Sequence, residues 1–269
     1  MNTTISQLCA EFEKMESIIA FQQKIISALP KQPMVPCGCP MMVNAPLDSY
    51  PKLKLADCSW NEINMYAQSG MADRVFALGD TKEITLADGS SINVRIIGFN
   101  HDQNDNGQII PITFESVETL NEDAQMNDEY TNKGGWSASK LRSSLNDHFF
   151  NNMLPDDLKA VIKPCAKLTG TGGKSPKTGN TVDKLFLLSE QEIFGRKIYS
   201  IGGEGHWYDY YKQENVDYGK CKQNGESDWR WERSPSGSYA TYFCGVHSSG
   251  AASIRNASYS GGVSFGFCV

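Results

Sequence analysis

The chain has 269 residues, 40% of them apolar and 21% charged, with a formal net charge of −6. That is enough apolar material for one or two globular domains, which excludes a disordered or collagen-like chain, and the acidic balance leaves no clustered Lys and Arg to hold a nucleic-acid backbone. No apolar run approaches the ~20 residues that span a bilayer, and Met1 to Lys14 lacks a basic stretch followed by an apolar one, so the chain is expected to be made in the cytoplasm without a signal peptide or membrane insertion.

In chain order, Ile5, Leu8, Phe12, Met15, Ile18, Ile19, Gln22, Ile25, Ile26 and Leu29 recur at three-and-four spacing and predict an amphipathic helix over residues 1–30, ended by Pro30. Alone, such a helix leaves its stripe wet, so it packs on the body or on copies of itself, with a homo-oligomer such as a trimer as one outcome. Residues 31–56, rich in proline, read as a linker or arm; Cys37-Gly-Cys39 within them lacks a second pair at zinc spacing. The cysteines are scattered through a chain too long to need stapling, and most of them read as reduced core thiols.

A domain is expected over residues 57–269. It begins with a helix near Trp60 to Ala67, then a β-hairpin in which Glu83 to Leu86 and Ile92 to Ile97 flank an Asp88-Gly89 turn, then a third strand from Ile109 to Phe114. Asp102, Asn104, Asn106 and Gly107 match the opening spacing of a calcium loop, but its twelfth position is Thr113 where a bidentate Glu belongs; a plain hairpin loop is the alternative. Ser139 caps a helix through Leu141, Leu145 and Phe149, and Leu154 to Val161 forms another. Gly170 to Lys174 is out of P-loop register because Pro176 intervenes, and reads as a flexible loop. Asp183 to Leu188 is a strand or the start of a helix, Ser189 to Glu192 is a helical turn, and Gly202 to Gly225 is a long Tyr- and Gly-rich loop, which by its length points to function.

The last segment differs from the rest. From Trp229 to Val269 there is no Lys or Asp, and Ser, Gly and Tyr dominate, the composition of binding loops. Residues 233–269 also lack Lys, Met, Trp, Gln and Glu, the amino acids that codons ending in C cannot encode. Randomising the adenines of AAC codons yields residues such as Asn, Ser, Gly, Tyr, His, Ile, Arg and Ala, which with Val246 make up residues 245–261. The alternative is a fixed, turn-rich β end.

Trp229-Arg230-Trp231-Glu232-Arg233-Ser234-Pro235, Phe243-Cys244-Gly245-Val246, Gly250, Ala257 and Gly262 to Phe267 carry a resemblance. So do Gly79-Asp80-Thr81-Lys82, Ile97 to Asp102, Trp136 to Asn146 and Phe186 to Ser189 upstream. Together they resemble a bacterial and prophage domain of uncharacterised function whose members include variable proteins of diversity-generating retroelements. The resemblance covers about residues 57–269. It implies an α+β, C-type-lectin-like fold with a small twisted antiparallel sheet, two helices and long loops, and a diversified segment at about 229–269. It further implies a non-enzymatic adhesin of a phage or prophage tail, carried on the virion, that recognises a protein or glycan receptor on a host cell or bacterium.

On that resemblance Phe243, Val246, Ala252, Ala257, Val263 and Phe267 are scaffold, and the recognition surface consists of outward-facing Ser236, Ser238, Tyr239, Tyr242, Gly245, His247, Ser248, Ser249, Ser253, Ile254, Arg255, Tyr259 and Ser260. Tyr239, Tyr242, His247, Arg255 and Tyr259 are the expected energetic anchors. Ser264-Phe265 departs from the smaller residue and Pro expected there, which leaves the register of the last strand open. Two alternatives remain: a fixed-specificity lectin-like or structural cap domain of a fibre, and a formylglycine-generating-type oxidase using paired Cys244 and Cys268, which lack a Lys or His neighbour in sequence to activate them. His101, His148, His206 and His247 lie in no nucleophile motif, so no catalytic residue, metal or cofactor is expected. Glu232-Arg233, set beside Trp229 and Trp231, reads as a buried ion pair or as part of the site, with structure favoured.

Overall fold

Ser59 opens the first helix, α1 (Trp60–Gln68), through a capping box: its hydroxyl accepts from the Glu62 amide while the Glu62 carboxylate accepts from the Ser59 amide. Trp60, Ile63, Tyr66 and Ala67 form its buried stripe, and a short second helix, α2 (Ala72–Val75), leads to Phe76, whose ring packs edge-on against Tyr66. The computed structural model describes residues 19–20, 23–24 and 52–269, and the chain divides into two compact units, Met1–Ala77 and Leu78–Val269. Helix α1 therefore falls in the first unit, not in the domain expected from residue 57. Ile19, Ala20, Gln23 and Lys24 are helical and exposed. The rest of the helix expected over 1–30, most of the arm, and Cys9, Cys37 and Cys39 lie outside the described residues.

The second unit is built on small antiparallel sheets with a few short helices, an α+β fold. Strands β1 (Thr81–Thr85) and β2 (Ser91–Gln103) form the expected hairpin, with the Leu86 amide donating to Ser90 O and Gly89 at φ +85°, where a side chain would be strained. Strand β3 (Ile109–Ser116) pairs with β2, and β11 (Gly266–Cys268) closes the sheet in the order β1-β2-β3-β11. The register left open by Ser264-Phe265 is settled by packing: Phe267 lies opposite Phe114 with rings 5.1 Å apart, and Phe265 is fully buried against Phe149.

The helical segment over 140–152 is α3, Asp156–Val161 is α4 and Glu190–Phe194 is α5, at the places where the sequence put two helices and a helical turn. β4 (Cys165–Gly170) and β5 (Thr178–Asp183) form a ribbon; the strand or helix start expected over Asp183 to Leu188 is neither, because β5 ends at Asp183 and the chain beyond it makes a single bridge, Phe186 to Gly266. The glycine loop expected to be flexible is its turn, and it is pinned: the Gly173 amide donates to Asn132 Oδ1 at 2.8 Å, and a Cβ on Gly172 would stand 1.7 Å from Asn132 O. β6 (Lys220–Cys221) and β7 (Ser227–Asp228) form a short pair. The last sheet has the order β10-β9-β8, from β8 (Arg230–Pro235), β9 (Tyr242–Val246) and β10 (Ala252–Asn256).

Two buried ionic networks hold this unit. Lys167 donates to Asp102 (2.5 Å), the Tyr208 hydroxyl (2.7 Å) and Glu192 (3.3 Å), while Arg233 clamps the other end of Glu192. Glu115 is surrounded by Lys220, Arg95 and Arg230 and accepts from the Tyr211 hydroxyl at 2.7 Å. The long Tyr-rich stretch over 202–225 is thus no free functional loop, because Tyr208 and Tyr211 are core residues whose hydroxyls satisfy buried carboxylates. Among the described residues no helix is long and apolar enough to cross a membrane.

Candidate functional site

The β9–β10 hairpin organises the residues expected to recognise a ligand. Its turn, closed by the His247 amide on Ala251 O, carries His247, Ser248 and Ser249. Its open end carries Tyr242 opposite Asn256, and there the Ala257 amide donates to Thr241 O, which brings the turns bearing Tyr239 and Tyr259 side by side. Five residues at ~3.4 Å rise put the two ends roughly 15 Å apart. Between them the strand register sends Ser253 and Arg255 to one face and Ile254 to the other, so the thirteen residues do not form one patch.

Burial sorts them further. Tyr239 and Tyr259 are each 53% exposed, Ser238, His247, Ser249 and Ser260 are exposed, and Tyr242, Ser248, Ser253, Ile254 and Arg255 are half-buried. Ser236 and Gly245 correct the expectation that they face out. Ser236 is buried, its hydroxyl accepting from the Ser238 and Tyr239 amides to fix the turn, and a Cβ on Gly245 would stand 2.6 Å from Arg230 O. Of the expected scaffold, Phe243, Val246, Ala257, Val263 and Phe267 are buried, whereas Ala252 on the edge strand is half-buried.

The tyrosine end is braced from below. Asn132, fully buried, donates from Nδ2 to Tyr239 O (2.9 Å) and Tyr242 O (2.7 Å), and its amide donates to Ala240 O. The Tyr239 and Tyr242 rings lie 5.2 Å apart. The Gly237 amide donates to Tyr199 O, tying in a loop that exposes Ile198 and Tyr199 by 39% and 40%. That loop hangs on Glu190, whose carboxylate accepts from the amides of Ile198, Tyr199 and Ser200. Sequence reading missed Asn132, Ile198 and Tyr199; the helical turn recognised at Ser189 was the nearest signal. At the other face Arg255 lies over the Trp229 ring, 5.4 Å from its centroid, and Trp229 in turn covers Gly261.

Three alternatives weighed from the sequence are decided by local geometry. Asp102 is no calcium ligand: burial raises its pKa, but Lys167 and His101 outweigh that and hold it well below the usual carboxylate range, and Thr113 and Tyr208 fill its other oxygen. The loop after it is a hairpin turn in which Asn104 Oδ1 accepts from the Asn106 and Gln108 amides. Cys244 and Cys268 do not meet, since Cys268 clusters with Cys165 and Asp102, and Cys244 with Glu190 and Glu232. Glu232 and Arg233 are both buried but do not pair: Arg233 turns to Glu192, and neither Glu232 oxygen has a hydrogen-bond partner. Burial, with Glu190 close by, pushes the Glu232 pKa well above its ordinary value, and burial beside these carboxylates does the same to the Cys244 thiol.

A cavity of about 270 Å³ beside Ser260, lined by Asp123, Gln125, Lys140, Leu141 and Ser144, is smaller than the ~300–1,000 Å³ typical of small-molecule pockets. Residues 106–269, more than half of the chain, match the family model described as Domain of unknown function (DUF6273). No curated protein and no solved structure matches the chain.

Proposed function

The chain belongs to the DUF6273 family, and we propose that it is a non-enzymatic recognition protein with a C-type-lectin-like fold. Its ligand surface is the open end of the β9–β10 hairpin. One observation carries this reading: Tyr239 and Tyr259, half exposed, stand on adjacent turns whose backbones are fixed by buried Asn132, Ser236 and Ala257. Rigid aromatic side chains on a braced backbone lose little entropy when a partner covers them. Tyr242, Ile198 and Tyr199 extend the patch.

The small antiparallel sheets, the short helices and the return of β11 to the first sheet support the finer fold, and the missing residue types over 233–269 support diversification by a retroelement. The receptor is a protein or glycan on a cell surface, and the protein serves a phage or prophage tail, with the N-terminal helix setting its valency. Binding to a glycan array and to intact bacterial cells tests recognition. The triple replacement of Tyr239, Tyr242 and Tyr259 by Ala should abolish the signal and leave the melting temperature nearly unchanged; an equal signal, or a large loss of stability, refutes the assignment. Flanking DNA should hold a reverse-transcriptase gene and a near-copy of the segment for residues 233–269 that differs at adenines, and their absence would leave a lectin-like domain of fixed specificity.

A further inference from the structure

Glu190, Glu232 and Cys244 come from three elements: the start of α5, the irregular stretch of β8 and the middle of β9. One carboxylate oxygen from each glutamate and the Cys244 sulfur lie within 4.8 Å of one another, and all three residues are buried. The irregularity is what aims Glu232. Trp231 faces Gly245 and Pro235 faces Phe243, so three β8 residues are set against the single Cys244, and a bulge of this kind redirects side chains.

What the cluster lacks, among the described residues, is an ion-pair partner in contact with Glu232; Arg230 and Arg233 act on it only from a distance. Neither Glu232 oxygen accepts a hydrogen bond, although the residue has no exposed surface. A carboxylate buried this way is costly unless it is paired or coordinates a metal. Its neighbour Arg233 spends its guanidinium on Glu192 and on the carbonyls of Leu168, Leu187 and Glu204. The other cysteine cluster shows the contrast, because Asp102 there is fully engaged by Lys167, Tyr208 and Thr113.

We propose that Glu190, Glu232 and Cys244 are the protein ligands of a buried divalent transition-metal ion of the zinc class. A thiolate beside two carboxylates suits zinc, which takes sulfur and oxygen together, whereas calcium and magnesium call for oxygen alone. The three amides donated to Glu190 orient its carboxylate in the way outer partners orient metal ligands. On binding, the metal displaces to solvent the thiol proton of Cys244 and the proton that burial favours on Glu232, and forms the metal–sulfur and metal–oxygen bonds with no change of oxidation state.

The test uses the full chain, stripped with a chelator under reducing conditions and titrated with zinc, and with cobalt as an optical probe. Wild type should take up one more equivalent of zinc than Glu232→Gln or Cys244→Ser. The cobalt complex should show thiolate-to-metal charge-transfer absorption that survives the double change Cys37→Ser/Cys39→Ser and is lost in Cys244→Ser. Zinc should raise the melting temperature of wild type and not that of Glu232→Gln, an isosteric change expected to leave the fold intact. Equal stoichiometry in wild type and Glu232→Gln overturns the assignment. So does an infrared carbonyl band of a protonated acid that Glu232→Gln removes and zinc does not, since Glu232 would then rest as a neutral acid. If Cys244→Ser does not fold, the Glu232→Gln comparison decides alone.

Discussion

Replacing Asn132 by Ala removes one side chain that ties three segments together. It loses the two Nδ2 bonds to Tyr239 O (2.9 Å) and Tyr242 O (2.7 Å) and the bond its Oδ1 accepts from the Gly173 amide (2.8 Å). At about 1 kcal/mol net for each buried hydrogen bond the loss is about 3 kcal/mol. Tyr242 O keeps the Ser236 amide as a donor, which holds the cost near that sum. In a domain of this size 1 kcal/mol moves the melting temperature by about 2–4 °C, so the variant should melt about 6–12 °C below wild type when followed by circular dichroism. Asn132→Asp should do no better, because it keeps the acceptor for Gly173 but turns an oxygen toward two carbonyls. A melting temperature within about 2 °C of wild type for Asn132→Ala would show that the turns bearing Tyr239 and Tyr242 are held by something else.

Lys167→Met should cost about 3–5 kcal/mol, because it leaves Asp102 buried without its cation, and urea unfolding should show a lower midpoint at an unchanged slope. A midpoint equal to that of wild type would mean that the charge was not needed. For Glu115, burial opposes ionisation but Lys220, Arg95 and Arg230 prevail and hold its pKa at about 2. Its folded value is depressed, so its contribution to stability is complete above the unfolded value of ~4.5 and fades as pH falls through about 2. The stability gap between wild type and Glu115→Gln should accordingly narrow on acidification from pH 5 to about 2, and a gap that stays constant in urea titrations would contradict this.

Local signals were legible in the sequence because their partners lie a few residues apart. The helix near Trp60, the Asp88-Gly89 turn and the helical turn at Ser189 all stand where pattern and turn chemistry put them. The core tyrosines were not legible. Tyr208 meets Asp102 across 106 positions and Tyr211 meets Glu115 across 96, and no local pattern distinguishes a tyrosine that satisfies a buried carboxylate from one that offers its ring to a ligand. Composition failed in the same way at Ser236 and Gly245. In a segment rich in Ser and Gly, residues that build the turn or allow close backbone approach look the same as residues that face outward. Glu232 and Arg233 were read as a buried ion pair or part of the site, but whether they pair depends on the β8 irregularity, which sends Arg233 to Glu192 and leaves Glu232 without a hydrogen bond.

Strand β10 pairs only with β9, and all five of its residues are half-buried. A side chain there has neighbours on one flank alone, so an exchange disturbs a single ladder. Exchanges away from buried features usually change stability by no more than about 0.5 kcal/mol in either direction. Changes at all five positions, taken as independent and of either sign, accumulate to about 1.1 kcal/mol, well inside the ~5–15 kcal/mol by which domains stay folded. An edge position of this kind makes the region tolerant of neutral drift, so that exchanges of surface chemistry there need no compensating changes in the core.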